Sequence, residues 1–107
     1  MYDKFGQFIN GKWTKSTSGE TYDVINPANE ELIGKASRAS KKDIEFALES
    51  AKKGFEIWKN TSPWERSKII RKISELIRKK KDILAKWLTI EVGKPLTESN
   101  GEVLGAA

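Results

Sequence analysis

Cysteine and histidine are both missing from this sequence of 107 residues. Without cysteine there is no disulfide framework and no thiol nucleophile. Without histidine the commonest general base and the usual zinc ligands are gone. A cytoplasmic setting is the default expectation for such a chain. Long apolar runs are missing too. None approaches the roughly 20 residues that span a bilayer, so no membrane partner is expected. The opening Met-Tyr-Asp-Lys-Phe-Gly-Gln-Phe has no basic segment leading into an apolar one, and no secretory leader is expected. The glycines, at 6, 11, 19, 34, 54, 93, 101 and 105, nowhere gather into a phosphate-cradling loop. Gly101 and Gly105 follow no strand and complete no dinucleotide fingerprint. Carboxylates such as Glu30–Glu31 or Asp43–Glu45 read most simply as surface charges. Residue types alone therefore build no catalytic site and no cofactor-binding site.

What is present is a basic, helix-rich chain that is one domain at most. The formal net charge is +5, and its distribution matters more than its size. Ser62 to Lys94 holds 10 Lys or Arg against 4 Asp or Glu, a net +6, which leaves −1 for the remainder. The excess sits in Arg66, Lys68, Arg71, Lys72 and the run Arg78-Lys79-Lys80-Lys81. Most of these fall off the apolar positions, and the run lies where a helix should end, favourable for its dipole. A solvated polar face accounts for them, and a phosphate-binding face is the rival reading. The abundance of Lys and Ile without Cys suits a thermophilic source.

Residues 1–6 read as a loosely held arm. Phe8-Ile9-Asn10-Gly11-Lys12-Trp13 is a short hairpin around Asn-Gly, the dipeptide that best tolerates a type I′ turn. After the polar loop Ser16-Thr17-Ser18-Gly19, a strand is expected at Thr21–Ile25, stopped by Asn26-Pro27. Another is expected from Glu31 to Ser37. Three helices follow between Ser40 and Pro95. Ser40 with Asp43, and Ser62 with Glu65, are capping-box patterns. Pro63 stands at a first helical position, and Gly93 closes the third helix with Pro95 beyond it. The fold expected is α+β, with short strands over 1–39 and helices over 40–107.

Apolar spacing agrees with the caps. Ile44, Ala47, Leu48, Ala51, Phe55 and Trp58 share one helical face, as do Ile69, Ile70, Ile73, Leu76 and Ile77. Leu84, Trp87, Leu88 and Glu91 line a third face, with Ile83 and Ile90 beside them. These stripes are expected to form a helical core, although spacing does not say what they pack against. Leu96 to Ala107 reads as the start of a fourth helix that stops without a cap, as though what followed had been lost.

Phe8 to Trp13, then Val24-Ile25-Asn26-Pro27-Ala28-Asn29-Glu30-Glu31-Leu32-Ile33-Gly34, resembles the start of the NAD(P)-dependent aldehyde dehydrogenase superfamily. The likeness continues through Ala47, Ala51, Phe55, Trp58, Pro63-Trp64-Glu65-Arg66, Ile73, Leu76 and Ile77. It ends with Glu91-Val92-Gly93-Lys94-Pro95 and Glu102-Val103. It covers essentially the whole chain in order and looks most like the archaeal and bacterial semialdehyde, lactaldehyde and non-phosphorylating glyceraldehyde-3-phosphate enzymes. The resemblance implies an N-terminal fragment, whether a deliberately cut piece or a naturally short reading frame. The longer parent would oxidise an aldehyde to an acid with NAD or NADP. In that family the oxyanion-hole asparagine, the nicotinamide loop, the glutamate base and the nucleophilic cysteine all come later. The chain alone is therefore expected to be inactive and to bind no cofactor. The resemblance also implies a monovalent cation held by the carbonyls of Val24 and Ile25 and the carboxylate of Glu91, oxygen donors that suit a hard cation. Glu91 as an ordinary helix-end carboxylate is the alternative. The expected partners are further copies of the chain, in a dimer or higher oligomer, or the missing remainder of the enzyme. The rival function is an independent basic helical module binding nucleic acid or a protein.

Overall fold

The computed structural model describes residues 6–107. Of the arm expected at 1–6, residues 1–5 lie outside the described residues. The described residues form two compact units, one made of 6–25 and 32–60, the other of 26–31 and 61–107.

The first unit holds two small antiparallel sheets and one helix. Strand β1 (Gln7–Ile9) pairs with β2 (Lys12–Thr14), and Ile9 stands opposite Lys12 across a two-residue turn. Asn10 and Gly11 both take positive φ, 52° and 74°, the type I′ geometry that the Asn-Gly pair favours. Phe8 and Trp13 face each other across the ladder with ring centroids 5.1 Å apart. Strand β3 (Thr21–Ile25) pairs with β4 (Leu32–Ser37), and Asp23 meets Lys35 in an ion pair of 2.6 Å. A bulge follows Val24, which opposes Gly34, while Ile25 opposes Leu32 and leaves Ile33 as the extra residue. Helix α1 (Lys41–Asn60) packs against β1.

The second unit holds the turn at 26–31 and three helices. Helix α2 (Pro63–Lys79) starts as its sequence dictates: Ser62 Oγ accepts the Glu65 N–H at 3.2 Å, and Pro63 needs no partner for its nitrogen. The Ser62 hydroxyl also meets the Glu65 carboxylate at 3.0 Å. Lys80 closes α2 and opens α3 (Lys81–Val92), its N–H donating to the carbonyls of Leu76 and Ile77. Gly93 ends α3 at φ 78°, the left-handed value its sequence position requires. A side chain there would also place its Cβ 2.8 Å from Pro27 Cγ. Helix α4 (Leu96–Ala106) follows with Pro95 at its N-cap and no side-chain cap.

The expected core is the main correction. Among the described residues the buried apolar side chains are Ala85 and Val103. They belong to the seam between α3 and α4, where Ser99 is fully buried and meets the Thr89 hydroxyl at 2.9 Å. Ala85 and Thr89, and likewise Ser99 and Val103, lie one helical turn apart, and their small size lets the two helices approach closely. Ser74 of α2 donates to the Ala107 carbonyl. The larger stripes do not form a core in this chain. Ile44, Leu48, Phe55 and Trp58 of α1 are exposed, and so are Ile69, Ile70, Ile73 and Leu76 of α2. In α3, Ile83 and Leu84 are exposed, with Trp87 and Leu88 half-buried. Periodicity located these faces correctly, but it cannot say whether 107 residues supply anything to set against them.

Candidate functional site

The most organised polar cluster in the first unit surrounds Asp43, in the first turn of α1. Its side chain is only 3% exposed, so the sequence reading of Asp43 as a surface charge is overturned. The capping-box reading of the same residue is borne out. The Ser40 N–H donates to Asp43 Oδ2 at 2.8 Å, and the Asp43 N–H donates to Ser40 Oγ at 3.2 Å, the reciprocal pair of a capping box. Three further donors come from the segments that precede α1. The Ser16 hydroxyl donates to Oδ2 at 2.9 Å, the Thr17 N–H lies 3.1 Å from Oδ1, and Gln7 Nε2 reaches Oδ2 at 3.3 Å. One carboxylate thus ties β1, the loop after β2 and the start of α1 together.

Hydrogen bonds to a charged form favour it. The Ser40 N–H, followed by the Ser16 and Ser40 hydroxyls and the Thr17 N–H, holds the Asp43 carboxyl far below the ordinary carboxylate range, against the opposing effect of burial. A general base needs a pKa near the working pH. Asp43 is instead a fixed anion whose lone pairs are already engaged, and its role is positioning. Beside it lies a cleft of about 480 Å³, walled by Ile9, Lys12, Lys15, Phe46 and Lys53. Lys53 is paired with Glu49 at 2.8 Å and holds that carboxyl below its usual range.

Of the residues implied for a cation, Val24 and Ile25 flank the β3–β4 bulge in the first unit, where the regular ladder is interrupted. Glu91 is exposed in the last turn of α3, in the second unit. Among the described residues no three His, Cys, Asp or Glu side chains cluster as a metal site. The Glu30–Glu31 pair is exposed as expected, and the Glu31 carboxylate accepts from Asn29 Nδ2 at 2.8 Å. The Asp43 hub was only half legible. Ser40 and Asp43 carry a sequence signal, whereas nothing in the spacing of Gln7, Ser16 and Thr17 announces that they converge on the same carboxylate.

The profile of the aldehyde dehydrogenase family matches residues 13–107. A betaine aldehyde dehydrogenase point mutant from Staphylococcus aureus, solved with NAD+, is 35% identical over 92% of this chain, with a TM-score of 0.87. An NAD-dependent aldehyde dehydrogenase from Sinorhizobium meliloti is 32% identical over 94% of the chain, with a TM-score of 0.89. The same identity, coverage and TM-score hold for a 3,6-anhydro-L-galactose dehydrogenase bound to NADP. In each case this chain spans only about one fifth of the solved relative, 20% or 21%. Two antiparallel hairpins followed by four helices, matched over nearly their whole length in both sequence and structure, place this chain in the aldehyde dehydrogenase family, as an N-terminal part of its fold.

Proposed function

We propose that this chain is the N-terminal portion of an NAD(P)-dependent aldehyde dehydrogenase subunit, whose complete form oxidises an aldehyde to a carboxylic acid. The observation that carries the reading is the match in sequence and structure to relatives about five times longer. The portion has no chemistry of its own. With no cysteine in the sequence it lacks the family's nucleophile, and the one deeply buried carboxylate among the described residues, Asp43, is occupied with holding the fold. Its contribution is a shaped surface for the rest of the subunit. Ile44, Leu48, Phe55 and Trp58 on α1 supply an apolar face that the remainder would cover, and in isolation that face pairs with another copy. In the parent, the carbonyls of Val24 and Ile25 and the carboxylate of Glu91 are proposed to help hold a monovalent cation. Replacing sodium and potassium by choline should then lower the parent's unfolding midpoint.

The test of the central reading is an assay of the purified chain with a panel of aldehydes and NAD+ or NADP+. No formation of reduced nicotinamide is expected. Enzyme-dependent turnover that follows the chain through purification would overturn it, and so would saturable cofactor binding tighter than about millimolar.

A further inference from the structure

Arg66 stands where a charge is least expected. Ile69, Ile70 and Ile73 follow it at i+3, i+4 and i+7 on α2, so the guanidinium shares a face with three isoleucines. The other basic residues of the helix, Lys68, Arg71, Lys72, Arg78 and Lys79, fall on the opposite side. Neither acid of α2 serves Arg66. Glu65 meets the Ser62 hydroxyl, and Glu75 is paired with Lys72 at 3.2 Å. Arg66 Nε is buried with no hydrogen-bond partner among the described residues. The residue as a whole is only part-buried, and its two Nη atoms are not closed off in the same way. The other buried side-chain atom without a partner among the described residues is Asn100 Oδ1 on α4, and it does not take the Arg66 N–H. The Asn100 amide is oriented by its own helix, with Nδ2 donating to the Leu96 carbonyl at 2.8 Å.

We propose that the remainder of the subunit presents an Asp or Glu carboxylate to Arg66, and that this ion pair fixes where α2 seats. The inference rests on the reading of this chain as the N-terminal portion of a longer subunit, one fifth of whose relatives' length is present here. In that subunit the exposed face of α2 is covered, and covering Ile69, Ile70 and Ile73 takes Arg66 out of water with them. A guanidinium cannot shed its proton to escape the cost, so burial demands a partner. A neutral acceptor such as Asn100 leaves the charge uncompensated, whereas a carboxylate supplies both the charge and the acceptor atoms. Its two oxygens also match the planar donor fork, which defines direction as well as energy. Three isoleucines alone allow the helix to slide along an apolar surface. One fork meeting one carboxylate allows a single register.

The experiment compares Arg66→Met and Arg66→Lys in the 107-residue chain and in the complete parent subunit. In the chain, where no carboxylate meets the guanidinium, Arg66→Met should leave the thermal unfolding midpoint and the helix content level or slightly raised. In the parent the same change strands a buried carboxylate and should lower the midpoint by several degrees. Arg66→Lys keeps the charge but not the fork, so it should recover only part of that loss. A crystal structure of the parent should show a carboxylate from beyond residue 107 within hydrogen-bond distance of the Arg66 guanidinium. Three results would overturn the proposal. One is an equal loss in chain and parent, which would place the role of Arg66 inside this chain. The others are no loss in the parent, or a parent structure in which Arg66 meets only solvent or neutral acceptors. Each would leave the N-terminal reading standing, since that reading fails instead on aldehyde turnover by the chain alone.

Discussion

The seam between α3 and α4 and the long helix α1 treat side chains in opposite ways. The seam buries an alanine, a serine and a valine completely or nearly so. Helix α1 leaves Ile44, Leu48 and Phe55 more than half exposed, and the one residue it buries is an aspartate. Small residues let two helices meet within the chain. Large ones on a regular stripe need a broad opposing surface, and a chain spanning a fifth of its relatives does not carry one. Size and periodicity together therefore separate contacts made inside this chain from contacts made for something outside it.

The contrast can be broken most severely at Asp43. Asp43→Asn keeps the shape but removes the charge that the donors of Gln7, Ser16, Thr17 and Ser40 converge on, and the unfolding midpoint at neutral pH should fall clearly. The pH dependence has a definite sign. The folded pKa lies below the ordinary value of 3.8, so the stabilisation is fully present above that value and is lost as pH falls below it. Midpoints of the two proteins should therefore converge in acid, and a gap that persists or widens there would contradict the assignment.

Next in size is the seam itself. Ala85→Leu forces a large side chain between α3 and α4 and should cost about 1–3 kcal/mol by denaturant unfolding. Gly93→Ala comes after it. The left-handed backbone alone costs an L-residue roughly 1–2 kcal/mol, and the contact with Pro27 adds to it. The smallest effects should belong to the largest side chains. Leu48→Ala and Ile73→Ala are expected to change stability by no more than about 0.5 kcal/mol, as exposed positions do. Losses of several kcal/mol there would mean that the stripes are core after all.

Much of the fold was legible because it is written in local chemistry. Asn10-Gly11 fixes a hairpin, Ser62-Pro63 starts a helix and Gly93 ends one, and each does so through its own backbone preferences. The strands expected at Thr21–Ile25 and Glu31–Ser37 were legible from composition and the Asn26-Pro27 stop, the second starting one residue later, at Leu32. Destination was not legible. The same 3.6-residue period describes a helix packed in a core and a helix waiting for a partner, so Leu48 and Ile73 read as buried. Asp43 was misread as a surface charge for the converse reason. Its burial depends on donors at Gln7, Ser16 and Thr17, brought to it by chain segments 26 to 36 residues earlier. The seam carried only a faint signal, in Ala85 and Thr89 on α3 and Ser99 and Val103 on α4, each pair one helical turn apart.

The account turns on the claim that the stripe of α1 is an interface rather than a core, and sedimentation equilibrium tests that claim most directly. Run over a wide concentration range beside Leu48→Asp, the chain should show a mass rising above 12.1 kDa with loading, while the variant stays monomeric with its helix content intact. A mass of 12.1 kDa at every loading, or a variant that unfolds instead of dissociating, would contradict it.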